Sequence, residues 1–289
     1  MGFMDYLKKM IGIPTDNKGV HITDTEIIIP NTSQRQLIIP EVQVPQNDVS
    51  GNRSLKLEKL EERKKKVKLI LSKKTDIKIV AQVVVVLDAS YSAKKLYNIK
   101  VVQNTVERIY PIAARLDDDG DLDCWIFSND YKNLPPVNKS NFENYVENEI
   151  LRKNHSCAWN GTDYSPVMAA IADKYKNSKM PVYVIFITDG DNYDEYETTQ
   201  VITRAAHLPI FWQFVGIGKP EKEFEFLKTL DTMVGRFIDN ANFVELNDLS
   251  TVSVDKLYDD YLLNELPLWY KEAQRLQAQL PDAFKGCKF

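Results

Sequence analysis

Cysteine and histidine are both scarce in this chain, at three residues each. Cys124, Cys157 and Cys287 lie far apart with no CxxC pair, which excludes a disulfide framework and a cysteine-rich zinc site and fits a reducing, cytoplasmic compartment. His155 and Cys157 stand close in sequence, but two soft ligands make no zinc site. No apolar run approaches the roughly 20 residues a bilayer span requires. The opening MGFMDYLKKMIGIP breaks its apolar residues with charges and lacks a small-residue cleavage site, which argues against a secretory signal. Gly2 fits a myristoylation signal, but Tyr6 stands where Ser or Thr is required, so a short amphipathic docking helix is the better expectation. There is no Gly-rich phosphate loop and no GxSxG elbow. The acidic run DDDGDLD fails as a calcium loop: aligned on Gly120, it puts Arg115 at the first ligand position and Ile126 at the last.

What is present is an ordinary globular composition, 44% hydrophobic and 27% charged over 289 residues, enough for one large domain or a domain with an appendage. The net charge of −4 conceals an asymmetry. Lys56–Lys74 holds nine Lys/Arg against three Glu, a net of +6, which leaves −10 on the rest. A solvated lysine-rich helix is the plainer account of this run, with a basic arm for nucleic acid or an acidic partner as the other. Nucleic-acid binding is not indicated, because no aromatic stacking surface or reading motif accompanies the charge.

Residues 1 to 54 read as an extension of extended or edge-strand segments, punctuated by Pro30, Pro40 and Pro45 and ending in a polar linker. Residues 55–75 read as a basic helix or linker. From about Asp76 the chain alternates strands and helices. IVAQVVVVL is a nearly continuous apolar strand, as expected for burial on both faces. Ala93–Leu116 carries apolar residues at spacings of three and four, predicting one helix. DLDCWIFS predicts a strand, SNFENYVENEIL a helix capped by Ser140, and the stretch from Tyr164 to Lys176 a helix that tolerates Pro166 in its first turn. PVYVIFIT, PIFWQFVGIG and NFVEL read as further strands with helices between them. The C-terminal SVDKLYDDYLLNELPLWYKEAQRLQAQL is helical, with a break near Pro267. The pattern predicts an α/β, Rossmann-like doubly wound fold with a mostly parallel sheet and helices on both faces. Such folds bind ligands beyond the carboxyl ends of their strands.

Chemistry collects at those strand ends. In VVVVLDASYSAKK, the alternation of Asp88, Ser90 and Ser92 can aim a carboxylate and two hydroxyls at one point. The strand VIFIT ends in DGDN and supplies Asp189, with Asp191 available at longer range. Thr162 lies in a loop just before a helix. Each has a plainer role open to it: Ser90, Ser92 and Thr162 as helix caps, Asp189-Gly190 as a turn. Their conjunction on three loops favours an ion site. The donors are all hard oxygens, which suits Mg²⁺, with Mn²⁺ or Ca²⁺ also possible. A ligand position left open invites a Glu or Asp carboxylate from a partner protein.

Asp88-Ala89-Ser90-Tyr91-Ser92, then Thr162, then Thr188-Asp189-Gly190 resemble the three-part metal-ion-dependent adhesion site (MIDAS) of von Willebrand factor A (vWA) domains, over roughly residues 76 to 265. LSKKTDIKIVAQVVVVLDAS with DLDCWIFS and VIFITDGD is most similar to the vWA domain at the end of TerF-type tellurite-resistance proteins, with copine-type vWA domains as relatives. Residues 266–289 then form a C-terminal helix and tail. The resemblance implies a non-enzymatic module that binds a divalent ion through Asp88, Ser90, Ser92, Thr162 and Asp189 and, through the ion, a partner. It also implies a bacterial or phage-borne cytoplasmic setting of metal stress or defence. Residues 1 to 54 show no match to the Ter-type calcium-binding domain. The common DxSGS pattern has Gly where this chain has Tyr91. Two other readings stay open: a Mg²⁺-dependent phosphohydrolase with Asp88 as nucleophile, for which Ser90 is a poor general acid, and a vWA scaffold whose metal site is vestigial.

Overall fold

The valine run forms strand β1, Gln82–Asp88, at the centre of the sheet. Val83, Val85 and Leu87 pack into one core cluster and Val84 and Val86 into the other, so both faces of the strand are covered. That is why the sequence is apolar at every position instead of at alternate ones. This computed structural model describes residues 49–190, 192–218, 224–246, 251–280 and 282–289. The edge-strand and docking readings for residues 1 to 48 lie outside the described residues.

Strands β2 (Leu122–Phe127) and β4 (Val182–Thr188) flank β1 in parallel. Beyond them lie β5 (Ile210–Ile217) and β6 (Ala241–Leu246) on one side, both parallel, and β3 (Tyr131–Val137) on the other, antiparallel. The order β3-β2-β1-β4-β5-β6 reverses direction between β1 and β4, which opens a crevice at their carboxyl ends. The Rossmann-like α/β fold read from the sequence is the fold observed.

On one face lie helices α1 (Val49–Lys74), α2 (Lys94–Asn98) and α3 (Val101–Leu116), together with α7 (Leu266–Gln279). On the other lie α4 (Ser165–Tyr175), α5 (Glu195–Ala205) and α6 (Glu225–Thr232). The basic helix α1 is part of the core, with Leu60, Val67, Ile70 and Leu71 buried. Several of its cations are answered within the chain: Lys56 pairs with Glu107 at 3.4 Å, Lys66 with Asp255 at 2.9 Å and Lys74 with Asp259 at 2.8 Å. The helix begins at Val49, inside the stretch that reads as linker.

Three local readings are corrected. The helix expected over Ala93–Leu116 is two helices, parted at Ile99 and Lys100, where Lys100 takes a left-handed φ of 62°. Ser140 caps nothing: its hydroxyl donates to Asn138 Oδ1 at 2.6 Å, and a 3₁₀ turn over Phe142–Asn144 leads into a π-helical turn over Val146–Leu151. Strand β3 was not foreseen, because Pro135 and Pro136 argue against a strand. They are tolerated at a sheet edge, where one side of the backbone needs no ladder partner. The expected break near Pro267 is real: the chain leaves a π-helical turn at Leu262 and restarts at Leu266, with Pro267 in the first turn of α7.

Candidate functional site

The polar side chains at the carboxyl ends of β1 and β4 meet in the crevice between these strands. Asp88 ends β1 and is only 5% exposed; Asp189, just past β4, is 7% exposed. Ser90 N–H turns back to donate to Asp88 Oδ1 at 2.7 Å, an Asx turn that bends the chain after the strand. The Ser90 and Ser92 hydroxyls are 3.0 Å apart, and Ser92 Oγ donates to Asp189 Oδ1 at 2.8 Å. The two carboxylates are thereby linked through the Ser90 backbone N–H at one end and the two serine hydroxyls at the other. The second Asp88 oxygen accepts from Thr188 Oγ1 at 2.7 Å and from Asp189 N–H at 3.4 Å.

Thr162 comes to the site on the loop before α4. Its carbonyl accepts from Tyr193 N–H at 3.0 Å, and Asn160, two residues earlier, accepts from Tyr91 N–H at 2.9 Å. The loop is thereby stitched to the segments after both β1 and β4. Gly161 N–H donates to Asn129 Oδ1 at 2.6 Å, and Asn129 Nδ2 donates to Asp163 at 2.6 Å, which fixes the peptide next to Thr162. Thr162 itself is buried. Of the five residues singled out from the sequence, Asp88, Ser90, Ser92 and Asp189 form one hydrogen-bonded cluster, and Thr162 stands on the adjoining loop, tied to it through the backbone. Asp191 lies outside the described residues.

Behind the cluster is a supporting layer that sequence patterns do not single out. Tyr97, buried on α2, donates its hydroxyl to the Asp88 carbonyl at 2.8 Å, and burial raises its pKa well above the ordinary value. The Tyr164 hydroxyl reaches Thr188 Oγ1 at 3.0 Å, extending the relay that ends on Asp88. Trp159 holds a left-handed φ of 67°, its N–H on the Ala89 carbonyl at 2.6 Å and its ring edge-on to Tyr97 at 5.1 Å. A bulky residue at positive φ is a strained conformation that its surroundings must enforce. The one available hint in the sequence is the placing of Tyr and Trp within ten residues of the ion-site motifs. Tyr91, by contrast, is not among the positive-φ residues, so the side chain in place of the usual Gly carries no backbone strain.

The electrostatics follow from burial. Desolvation pushes the Asp88 carboxyl above its ordinary pKa, while hydrogen bonds from Ser90, Thr188 and Asp189 N–H pull the other way. Among the described residues no cationic side chain ion-pairs with Asp88. Two buried carboxylates joined by hydroxyls, with oxygen as the sole donor element, are a donor set that fits a hard divalent cation. Asp194 plays a different part: burial opposes its charge, yet donors from Asn192, Ser165 and Tyr164 hold its carboxyl below the usual range. It caps α4 from outside, accepting from Tyr164 N–H at 2.9 Å and Ser165 N–H at 2.7 Å. His155 and Cys157 bear no metal-site geometry: His155 Nε2 sits 2.7 Å from the Glu149 carbonyl and Cys157 is buried in the core. The carboxylates of Asp117, Asp118 and Asp119 approach one another within 4.8 Å, where Asp117 accepts from Val83 N–H at the opposite, amino-terminal end of β1.

The family model described as the vWA domain found in the TerF C terminus matches residues 80–278. A curated relative, uncharacterized protein YcbR of Bacillus subtilis (strain 168), is 40% identical over 231 residues, spanning 78% of this chain and 93% of its own. Among solved structures, proximal thread matrix protein 1 from the mussel byssus is 14% identical, with a TM-score of 0.45, over 63% of this chain and 46% of its own. The ArnB paralog VWA2 from Sulfolobus acidocaldarius is 18% identical, with a TM-score of 0.37, over 64% of this chain and 45% of its own. This chain thus spans less than half the length of either solved protein. With a family match across well over half of its residues and a relative at 40% identity, the chain belongs to the vWA domain proteins of TerF-like type.

Proposed function

We propose that this chain is a metal-ion-dependent protein-binding module. Asp88, Ser90, Ser92, Thr162 and Asp189 hold a divalent cation, with Mg²⁺ the best match to an all-oxygen donor set. The observation that carries the reading is the Asp88–Ser90–Ser92–Asp189 cluster, which concentrates two buried carboxylates in a crevice where, among the described residues, no cationic side chain ion-pairs with Asp88. The cation offsets the charge that burial disfavours, and the position left open on it takes a Glu or Asp from a partner protein. The Thr188, Tyr97 and Tyr164 hydroxyls hold the carboxylates and the strand end in place, so that ligand geometry is set before the ion arrives. The role is binding without turnover, in a bacterial or phage stress-resistance or defence setting inside the cytoplasm. Among the described residues no helix is long and apolar enough to cross a membrane.

Calorimetric titration of the full chain with Mg²⁺ and Mn²⁺ tests the ion site. One-site uptake that Asp88→Ala and Asp189→Ala both abolish is expected. Absence of uptake by the unaltered chain would favour a vestigial site, and Mg²⁺-stimulated hydrolysis of phosphate esters lost in Asp88→Asn would favour the hydrolase.

A further inference from the structure

The rim of the candidate ion site carries two large aromatic side chains that the fold does not use. Tyr91, between the two serines, is 74% exposed, and Tyr193, four residues past Asp189, is 85% exposed. Tyr196, in the first turn of α5, is exposed as well. A single exposed tyrosine needs no explanation, but a pair bracketing one loop does. Both hang from the Thr162 loop by their backbones, Tyr91 N–H on Asn160 and Tyr193 N–H on Thr162. The two anchoring carbonyls are two residues apart, a span of about 7 Å in extended chain. The tyrosine backbones are therefore anchored at the two ends of the Asn160–Thr162 tripeptide, while their rings stand in solvent.

The charges at this rim say what the rings are for. Among the described residues, the two site carboxylates and a divalent cation sum to neutrality, so a bound ion would leave no strong field to attract a polyacidic segment. Among the same residues, Lys94 and Lys95 lie exposed just past Tyr91, with the Lys94 ammonium 5.5 Å from the centre of the Trp159 ring. Glu195 is exposed and Asp163 half-buried on the segments that carry Tyr193 and Thr162, so the nearby charges are of both signs. Among the described residues, the largest side chains standing free there are the aromatic ones of Tyr91 and Tyr193. Tyr loses little entropy when it is covered and is enriched among the residues that dominate binding energy.

We propose that Tyr91 and Tyr193 form an aromatic clamp selecting a protein segment in which one Asp or Glu is flanked by apolar side chains. The carboxylate goes to the cation and the flanks go to the rings. This rests on the reading of the site as a cation-dependent binding module, and it goes further by assigning partner choice to two side chains that touch no ion. The tyrosine that replaces the family's usual glycine then belongs to partner recognition.

Fluorescently labelled synthetic peptides with a single central Glu, flanked by leucines, by serines or by aspartates, serve as probes. Their anisotropy is read against the full chain with Mg²⁺ or EDTA. The leucine-flanked peptide is expected to bind about tenfold tighter than the serine-flanked one, since a pair of clamp aromatics carries hot-spot weight. That preference is expected to collapse in the Tyr91→Ser/Tyr193→Ser double variant while calorimetric Mg²⁺ uptake persists. Tighter binding of the aspartate-flanked peptide, equal binding of all three, binding of none, or a preference that survives the double variant would overturn the proposal. Failure of the unaltered chain to take up Mg²⁺ sinks the ion-site reading and this inference together. Mg²⁺ uptake with flank-blind binding sinks the inference alone.

Discussion

Helix α3 contains a proline at position 111 and remains helical through it. A proline inside a helix has no N–H for the carbonyl four residues back, here Glu107, and typically costs about 3 kcal/mol or more. The orphaned carbonyl has a partner, though, from another helix: Arg63 Nη1 on α1 donates to Glu107 O at 2.8 Å. A hydrogen bond from a charged donor contributes about 1.5–3 kcal/mol, and this one is half-buried, so Arg63→Met should cost about 2 kcal/mol. Methionine keeps the apolar stem and removes the fork of donors. For a domain of this size that loss corresponds to a fall in Tm of about 4–8 °C.

A double-mutant cycle isolates the pairing of Arg63 with the Glu107 carbonyl. Pro111→Ala returns an N–H to the Glu107 carbonyl, so in that background Arg63→Met should cost under about 1 kcal/mol, a coupling of about 1–2 kcal/mol. Urea unfolding followed by the fluorescence of the buried Trp125, Trp212 and Trp269 supplies the four free energies. Equal losses in both backgrounds would mean that Arg63 acts through general charge or packing and that the notch at Pro111 is irrelevant. A coupling of the expected size would make the lysine-rich helix a fixed part of the fold that repairs a defect in its neighbour.

A saturating divalent cation should raise stability by about 2.7 kcal/mol at a hundred times its Kd, a Tm rise of about 5–11 °C that EDTA reverses and Asp189→Ala abolishes in a thermal-shift assay. Gly161→Ala would bring a Cβ within 2.7 Å of Asn129 Oδ1 and displace the amide that holds the loop before Thr162; calorimetry should register about a tenfold loss of Mg²⁺ affinity, roughly 1.4 kcal/mol, with the fold retained by circular dichroism. Burial raises the Asp117 carboxyl to about 7, with the Val83 N–H opposing and Asp119 adding to the rise. The folded chain therefore holds a proton there that the unfolded chain has released, and stability should fall as pH climbs from about 4 to 7. Asp117→Asn should remove that fall and stabilise the chain by about 1–2 kcal/mol at pH 8, after a discount for its partial exposure, as urea midpoints at pH 4.5 and 8 would show.

Legibility from sequence followed the length scale of the interaction. The β1 valines and the β4 run VYVIFIT announced themselves because a strand covered on both faces must be apolar throughout. Asp88, Ser90, Ser92 and Asp189 could be found because the ends of those strands fix where they project. Strand β3 could not, since its prolines are acceptable only at an edge, and edge status depends on which strands pair. The break at Lys100 was hidden by an apolar periodicity that runs on across it. Tyr164 and Asn129 act through partners 24 and 32 residues away along the chain, a separation that no local pattern encodes.

The layout of the strand ends also bears on how such a site can change. The candidate ion ligands are held by groups belonging to the core: the Asp88 carbonyl by Tyr97, its carboxylate by Thr188, and Thr188 in turn by Tyr164. Altering any of these disturbs buried packing, which typically costs about 1–3 kcal/mol for each buried polar group left unmatched. Tyr91 and Tyr193 alternate with or follow those same residues yet stand in solvent, so replacing them leaves the core untouched. On the proposed reading, ion affinity and partner choice are thus carried by neighbouring positions under opposite constraint. Partner specificity can then drift by surface substitution at positions 91 and 193 while the carboxylate cluster beneath stays fixed.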